Sequence, residues 1–412
     1  MYSRMGRWTL LLAIAIGFVL GIIVGYVLLQ LPDAVRTEAS AWFKLLGDIF
    51  VRLIRVVIPP LIFFTIAAAT ASIADLRKLG VILVLMMMLY VSTSVLAAVW
   101  GVLAGLLFAP GAGVGLTPPP GYTPPKPPSG VDIVLSFFQL DFNLLLTVGG
   151  AMTMIIFAII TGVATVLLGE EGRKVYSVLV LGSRTMINVV RVIMYYAPVA
   201  IFGYAAWLIA TYGPQMLGAY GKLLGAQYLF TFIHFFLVYP IVVSLGGLNP
   251  LVYFKHQLTP FLVAFTTRSS AVTLPYNMEA ARRMGVRDEV FQVTLPIGAT
   301  VNMDGTALYQ AISAVFIAQL FGISLAPSQY GLIVLSVLVG SIATAAIPGG
   351  GTVMLAYVLS VVGLPLEGVG IMMVIDPPAD AIRTAINVSG DNACTVLIQR
   401  IIGLKPKIEK PM

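Results

Sequence analysis

From Gly305 to Leu366 the chain carries no charged residue. That run far exceeds the roughly 20 apolar residues that one membrane-spanning helix needs. It is broken at Ala326-Pro327-Ser328, and Gly349-Gly350-Gly351 interrupts its second part. Trp8–Pro32 and Leu79–Ala109 are charge-free and long enough to span. The 412 residues are 59% hydrophobic and 10% charged, where a soluble domain carries about a quarter charged. These features predict an all-α polytopic membrane protein.

The net charge of +7 does not indicate a nucleic-acid partner. Arg4, Arg7, Arg77, Lys78, Arg173, Lys174, Lys405, Lys407 and Lys410 lie between or beyond the apolar runs. That is the positive-inside pattern, and it predicts a multi-pass cell-membrane protein with both termini cytoplasmic. The segment around Pro118-Pro119-Pro120 and Pro124-Pro125 carries only Lys126 and reads as external. Met1–Arg7 and the long run after it lack a convincing cleavage site, so they read as a first spanning helix. The single cysteine, Cys394, allows no intrachain disulfide. The two histidines, His234 and His256, lie far apart, so no zinc or iron site is expected. His234 reads as a packed helix residue.

Eight spanning units are expected, at about 8–31, 41–70, 79–109, 132–168, 175–211, 217–247, 288–322 and 366–400. The fourth holds Asp132, Asp141 and Gly149-Gly150 and should be broken. Between the later units, 250–286 and 328–364 each set two short apolar arms around a tip, which predicts two re-entrant helical hairpins. Non-helical backbone at membrane depth survives only when buried in protein or lining a wet cavity. Two hairpins, each followed by a helix with a polar centre, suggest inverted repeats with a binding site between them.

The last unit carries Asp376, Asp380, Arg383, Thr384, Asn387 and Asp391, spaced i, i+4, i+7, i+8, i+11 and i+15. At helical periodicity they form one stripe about 100° wide. Each mid-bilayer charge costs at least about 2.5–3.5 kcal/mol, so the stripe should face protein, water or ligand. Arg383 suits a carboxylate and Asp380 an ammonium, which together describe an amino acid. An Asp380–Arg383 pair at i, i+3 is the plainer alternative. Asn387 and Asp391 offer the oxygen donors a hard cation needs.

In Asn302-Met303-Asp304-Gly305-Thr306, Gly305 permits unwinding that frees carbonyls for a cation, beside the oxygens of Asn302 and Asp304. Ser269 and Ser270 offer hydroxyls and amides at a half-helix end, where anions are favoured. Ala345–Gly351 is small and glycine-rich, able to approach a ligand closely. Thr93 and Ser94 alone read as helix-packing hydroxyls.

These residues resemble the glutamate transporter homologue family, the dicarboxylate/amino acid:cation symporters, from about Leu46 to Ile398. The motifs are Thr267-Arg268-Ser269-Ser270, Asn302 through Tyr309, and Asp380 through Asp391. The resemblance implies a homotrimer working as an elevator: scaffold segments at 1–78 and 132–216, and a mobile transport domain at 79–109 and 217–404. An external loop at 110–131 and a cytoplasmic tail at 405–412 complete the chain. It implies an acidic amino acid held by Asp380 at the amine and Arg383 at the side-chain carboxylate. Thr306, Thr384, Asn387, Arg268, Ser269, Ser270 and the second tip (Ala345, Ala346, Ile347, Pro348, Gly349) would surround it. One sodium would sit at Asp391 with oxygens of Gly298, Asn302 and Asn387. A second would use Thr300, Ser341, Ile342 and Thr344. A third would use Thr93, Ser94, Asn302, Asp304 and the Tyr90 carbonyl, with Met303 in the unwound segment among the cation residues. No other cofactor is implied, and no enzymatic activity.

Three departures stand out. Pro377-Pro378 removes two helical N–H donors beside Asp376. The first tip is one serine short of the commoner run, and its Arg268 resembles the archaeal type. Gln310 stands where proton-coupled relatives carry glutamate. The last two favour sodium without proton or potassium coupling. Rival readings are a proton-coupled transporter of the same fold, a passive channel, and an intramembrane aspartyl protease using Asp304 and Asp391.

Overall fold

The computed structural model of the chain describes residues 5–75, 80–118, 122, 151–344 and 349–404. Its helices are α1 (Met5–Leu29), α2 (Asp33–Asp75), α3 (Gly80–Phe108), α4 (Ala151–Leu167), α5 (Gly172–Met194), α6 (Ala197–Tyr212), α7 (Gln215–Ile233) and α8 (Tyr239–Leu245). They continue as α9 (Pro250–Thr267), α10 (Ser270–Arg283), α11 (Asp288–Val301), α12 (Asp304–Leu320), α13 (Pro327–Ile342), α14 (Gly350–Val362), α15 (Glu367–Met373) and α16 (Asp376–Ile401). No strand occurs among the described residues, and five of their helical stretches are long and apolar enough to cross a membrane. The chain is an all-helical polytopic membrane protein.

Small residues decide which helices meet closely. Gly17, Gly21 and Gly25 recur every fourth residue on α1, where a Cβ would fall 2.6 Å from the Pro198 carbonyl, 2.8 Å from Ala205 Cβ and 2.6 Å from Ile209 Cβ. This small-residue stripe seats α1 on α6, backbone to backbone. The same device, with Gly101 and Gly105, seats α3 on α12. Helix α2 packs on α4, α5 and α6, and runs unbroken through Pro59 and Pro60.

Several expected units differ in detail. The expected unit 175–211 is two helices parted at Tyr195-Tyr196, because Pro198 lacks the N–H that would continue α5. The unit 217–247 contains a π segment at His234–Val238. Pro240 follows it, and the wider turn accommodates the carbonyl its ring would otherwise strike. Asp132, Asp141, Gly149 and Gly150 lie outside the described residues.

Helices α9 and α10 form one hairpin and α13 and α14 another, with arms of 18, 14, 16 and 13 residues. Each arm is about 20–27 Å long, shorter than the hydrocarbon core of about 30 Å. The first hairpin reverses at Arg268, held left-handed at φ 50° and ψ 41°, a common helix ending. Ser269 then caps α10 by accepting from the Val272 amide at 3.4 Å. Helices α11 and α12 are parted by Asn302, which is extended, and Met303, which is neither helical nor extended.

Helix α16 sits inside this assembly, packed by α3, α7, α8, α9, α10, α11 and α12. It is buried on every side from Ala379 to Gln399, so its polar stripe is not one protected face of a partly lipid-facing helix. The expected unit 366–400 is also two helices, α15 and α16. Pro377 and Pro378 occupy the first turn of α16, where amides have no intrahelical acceptor. The two missing donors therefore cost the helix nothing and fix where it begins.

Candidate functional site

Arg383 donates through Nη2 to Asp380 Oδ1 at 2.5 Å and to Asp376 Oδ1 at 3.3 Å, with Nε 3.1 Å from Asp380 Oδ1. Its guanidinium carbon lies 4.5 Å from the Tyr309 ring centroid. The Asp380–Arg383 pair expected from spacing is therefore formed, and Asp376 joins it. Thr384 also donates to Asp380 Oδ1, at 3.3 Å. Arg383 Nη1 and Asp380 Oδ2 have no protein partner. That leaves one buried donor and one buried acceptor for something else.

Arg268, from the first hairpin tip, donates to the Pro377 carbonyl at 3.3 Å. It borders the same cavity as Asp380, Arg383, Thr384, Asn387, Ser270, Thr306, Met303, Thr344 and Gly351. Two carboxylates face two guanidiniums here, so the cluster is formally neutral. The cavity measures about 20 Å³, enough for a water. An amino acid enters only if a wall moves. Ser269 is buried as the cap of α10 and does not border the cavity. Ala345, Ala346, Ile347 and Pro348 lie outside the described residues, and Gly349 begins the second arm at φ 79°.

Asn387 organises the break between α11 and α12. Its Oδ1 accepts from the Gly305 and Thr306 amides at 2.8 and 3.3 Å, and its Nδ2 donates to Thr306 Oγ1 and Met303 Sδ, each at 3.1 Å. Met303 supplies no capping side chain, so Asn387 caps α12 from across the site. Met303 borders this cavity and its sulfur accepts from Asn387, so only its carbonyl suits a hard cation.

Deeper in the protein, Asp304 Oδ1 accepts from Thr93 at 3.0 Å and Ser94 at 2.8 Å, and Oδ2 from Tyr239 at 3.0 Å. Thr93 Oγ1 is also 3.2 Å from the Tyr90 carbonyl. His234 Nε2 stands 3.4 Å from Asp304 Oδ2, yet among the described residues neither ring nitrogen has a hydrogen-bond partner, so His234 is a buried helix residue as its sequence suggested. Asp391 accepts from Asn302 Nδ2 at 3.1 Å, and Gly298 lies so close that a Cβ there would stand 2.7 Å from Asp391 Oδ1. Both carboxylates are essentially inaccessible, and among the described residues neither pairs with Lys or Arg. Asn302 Oδ1 is buried without a partner. No cluster of three His, Cys, Asp or Glu occurs among the described residues. Hydroxyl, amide and carbonyl oxygens around a lone carboxylate suit a hard monovalent cation.

Thr300, Ser341, Ile342 and Thr344 are less gathered. Helices α11 and α13 touch. However, the Thr300 and Thr344 hydroxyls are spent on Ile297 and Gly340 carbonyls, and no described hydrogen bond joins the two segments. Sequence reasoning missed Tyr239, Thr352 and the full role of Tyr309, whose hydroxyl meets Thr352 at 2.7 Å. Polar tips in otherwise apolar helices were the available signal.

Comparison with known proteins gives the family. The chain is 30% identical over 396 residues to the proton/sodium-glutamate symport protein of Bacillus caldotenax, covering 94% of this chain and 93% of that protein. It is 29% identical over 395 residues to the C4-dicarboxylate transport protein of Rhodopseudomonas palustris (strain BisB18), covering 94% and 87%. The model of the sodium:dicarboxylate symporter family matches residues 10–401. Matched over nearly its whole length, the chain belongs to the sodium:dicarboxylate symporter family.

Proposed function

We propose that this chain is a secondary active symporter coupling inward sodium flow to uptake of an acidic amino acid, aspartate or glutamate. The observation that carries this is the charge balance of the buried groups. Asp376 and Asp380 are matched by Arg383 and Arg268, whereas among the described residues Asp304 and Asp391 have no Lys or Arg partner. An isolated buried carboxylate is costly, and an acidic amino acid adds a further negative charge to a neutral cluster. Cations entering with the substrate offset both.

In this reading Asp380 turns from Arg383 to the substrate amine, and Arg383 Nη1 takes the side-chain carboxylate. Asn387, Thr384, Thr306 and Ser270 hold the rest, with the second tip (345–349) as the moving wall. Sodium binds at Asp304 with Thr93, Ser94 and the Tyr90 carbonyl, and at Asp391 with Asn302 and the Gly298 and Asn387 oxygens. A third sodium uses carbonyls of Thr300, Ser341, Ile342 and Thr344. The scaffold helices α1, α2, α4, α5 and α6 trimerise, and α3 with α7–α16 moves as an elevator in the cell membrane. Radiolabelled aspartate uptake into proteoliposomes tests it: uptake should require an inward sodium gradient. Uptake that ignores sodium and follows a proton gradient overturns the sodium assignment.

A second reading, a dicarboxylate without an amine, has one observation in its favour. Asp380 is already bound to Arg383 at 2.5 Å, and such a ligand would leave that pair intact. Competition distinguishes the two, since succinate would then displace aspartate at equal or lower concentration.

A further inference from the structure

Helix α14 meets the site through two consecutive residues. Gly351 lies against Arg383, where a Cβ would stand 2.8 Å from both the guanidinium carbon and Nη1. Thr352 follows, fully buried, with its hydroxyl on Asp376 Oδ1 and on the Tyr309 hydroxyl. A hydroxyl has one hydrogen to give. Since Asp376 only accepts, Thr352 donates to it, and Tyr309 must donate to Thr352. The chain of bonds therefore has one direction, from α12 through α14 to α16. Its end point, Asp376 Oδ1, is the same atom that Arg383 Nη2 reaches at 3.3 Å, while Nη2 meets Asp380 at 2.5 Å.

We propose that Thr352 is a positioning residue that links the seating of the second hairpin to the partner chosen by Arg383. When α14 is seated, Thr352 and Arg383 share one oxygen of Asp376, and the Thr352 bond lowers that oxygen's pull on the guanidinium. Arg383 is then held less firmly by Asp376, and its unpaired Nη1 is left for the far carboxylate of a ligand whose amine takes Asp380. When α14 lifts, Asp376 loses the Thr352 bond and draws Arg383 to itself. Hairpin closure and capture of a second carboxylate thus favour each other, and such coupling is reciprocal. This rests on the acidic amino acid reading for the ligand, though not for the latch itself.

The experiment uses the full-length protein with Thr352→Val, which keeps the shape and loses the hydroxyl, and Thr352→Ser, which keeps the hydroxyl. Binding of aspartate and of alanine, which lacks the far carboxylate, is measured alongside amide hydrogen exchange of residues 350–362. Thr352→Val should weaken aspartate binding by about tenfold, the scale of one hydrogen bond to a charged group, with alanine binding changed less than twofold. It should also speed exchange in α14, and Thr352→Ser should restore both. Equal losses for aspartate and alanine, or failure of Thr352→Ser to rescue, overturn the proposal. Unchanged exchange in Thr352→Val overturns the latch whatever the ligand. Wild-type protein that binds no aspartate would instead sink the ligand assignment, and the exchange result would still decide the latch.

Discussion

Ser94 Oγ lies 2.8 Å from Asp304 Oδ1, and the neighbouring Thr93 hydroxyl lies 3.0 Å from the same oxygen. Helix α3 thus delivers two hydroxyls to a carboxylate that begins α12. A carboxylate wrapped in hydroxyls and lacking Lys or Arg holds its charge best with a cation beside it. Asp304→Asn should therefore abolish cation-dependent uptake, or raise the half-saturating sodium concentration at least about tenfold, the scale of one charge-assisted interaction. Ser94→Ala should act in the same direction and less. Sodium titration of aspartate uptake in proteoliposomes checks both, and an unchanged sodium dependence in Asp304→Asn would sink the site.

Replacing Asp380 separates the two proposed ligand classes. If it receives a substrate amine, Asp380→Ala leaves a buried ammonium unpaired. Loss of a buried charged partner costs about 3–5 kcal/mol, roughly 100- to 4,000-fold in aspartate affinity. Succinate binding should fall far less, or rise, because Arg383 is released from its bond to Asp380. Competition binding with both ligands reads the ratio directly. Equal losses for the two would remove Asp380 from amine recognition.

The sequence alone located the two hairpins, a break within Asn302–Thr306 and the polar residues of α16; it put the unwinding at Gly305, whereas the helix parts at Asn302-Met303 and Gly305 lies in the first turn of α12. Charge and glycine within apolar runs are costly unless they face a buried site or break a helix there. It did not reveal the surroundings. Periodicity treated α16 as a helix with one protected stripe, whereas hairpin 1 covers its far side through the Gln257, Asn277 and Asn392 amides. Nor did it reveal that Asp376 is joined to Thr352 and Arg383, since those contacts depend on how separate segments and turns come together. The prolines next to Asp376 suggested disruption. Position within the helix settled that, because a proline costs little in a first turn.

Gly298 should prove a functional glycine. A Cβ there would lie 2.7 Å from both Asp391 Oδ1 and the Tyr90 hydroxyl. Neither neighbour is a flexible chain end with room to retreat, since both residues are buried. Gly298→Ala should displace the Asp391 carboxylate and raise the half-saturating sodium concentration, with a stability loss of about 1–3 kcal/mol. Sodium titration together with thermal unfolding in detergent separates the two effects. A variant that unfolds earlier yet keeps its sodium dependence would make Gly298 a packing residue only.

Two substitutions around α16 should behave in opposite ways to what composition suggests. Pro377 is the more conspicuous residue, yet its nitrogen sits where a helix offers no acceptor. Its carbonyl, which receives Arg268, survives replacement. Pro377→Ala should change stability by less than about 0.5 kcal/mol, as at most sites without a special role. Asn392 is inconspicuous, yet its Nδ2 is 2.8 Å from Gln257 Oε1 and 2.7 Å from Asn277 Oδ1, both on hairpin 1 and all buried. Asn392→Ala leaves Gln257 Oε1 buried without its donor and Asn277 Oδ1 with only the 3.3 Å bond from Gln257 Nε2, which should cost about 1–3 kcal/mol. It should also loosen α9 and α10 while leaving α1–α6 unaffected. Equilibrium unfolding in mixed micelles with hydrogen exchange of residues 250–283 measures both. If Pro377→Ala proved the more damaging of the two, the first-turn account of the prolines would be wrong.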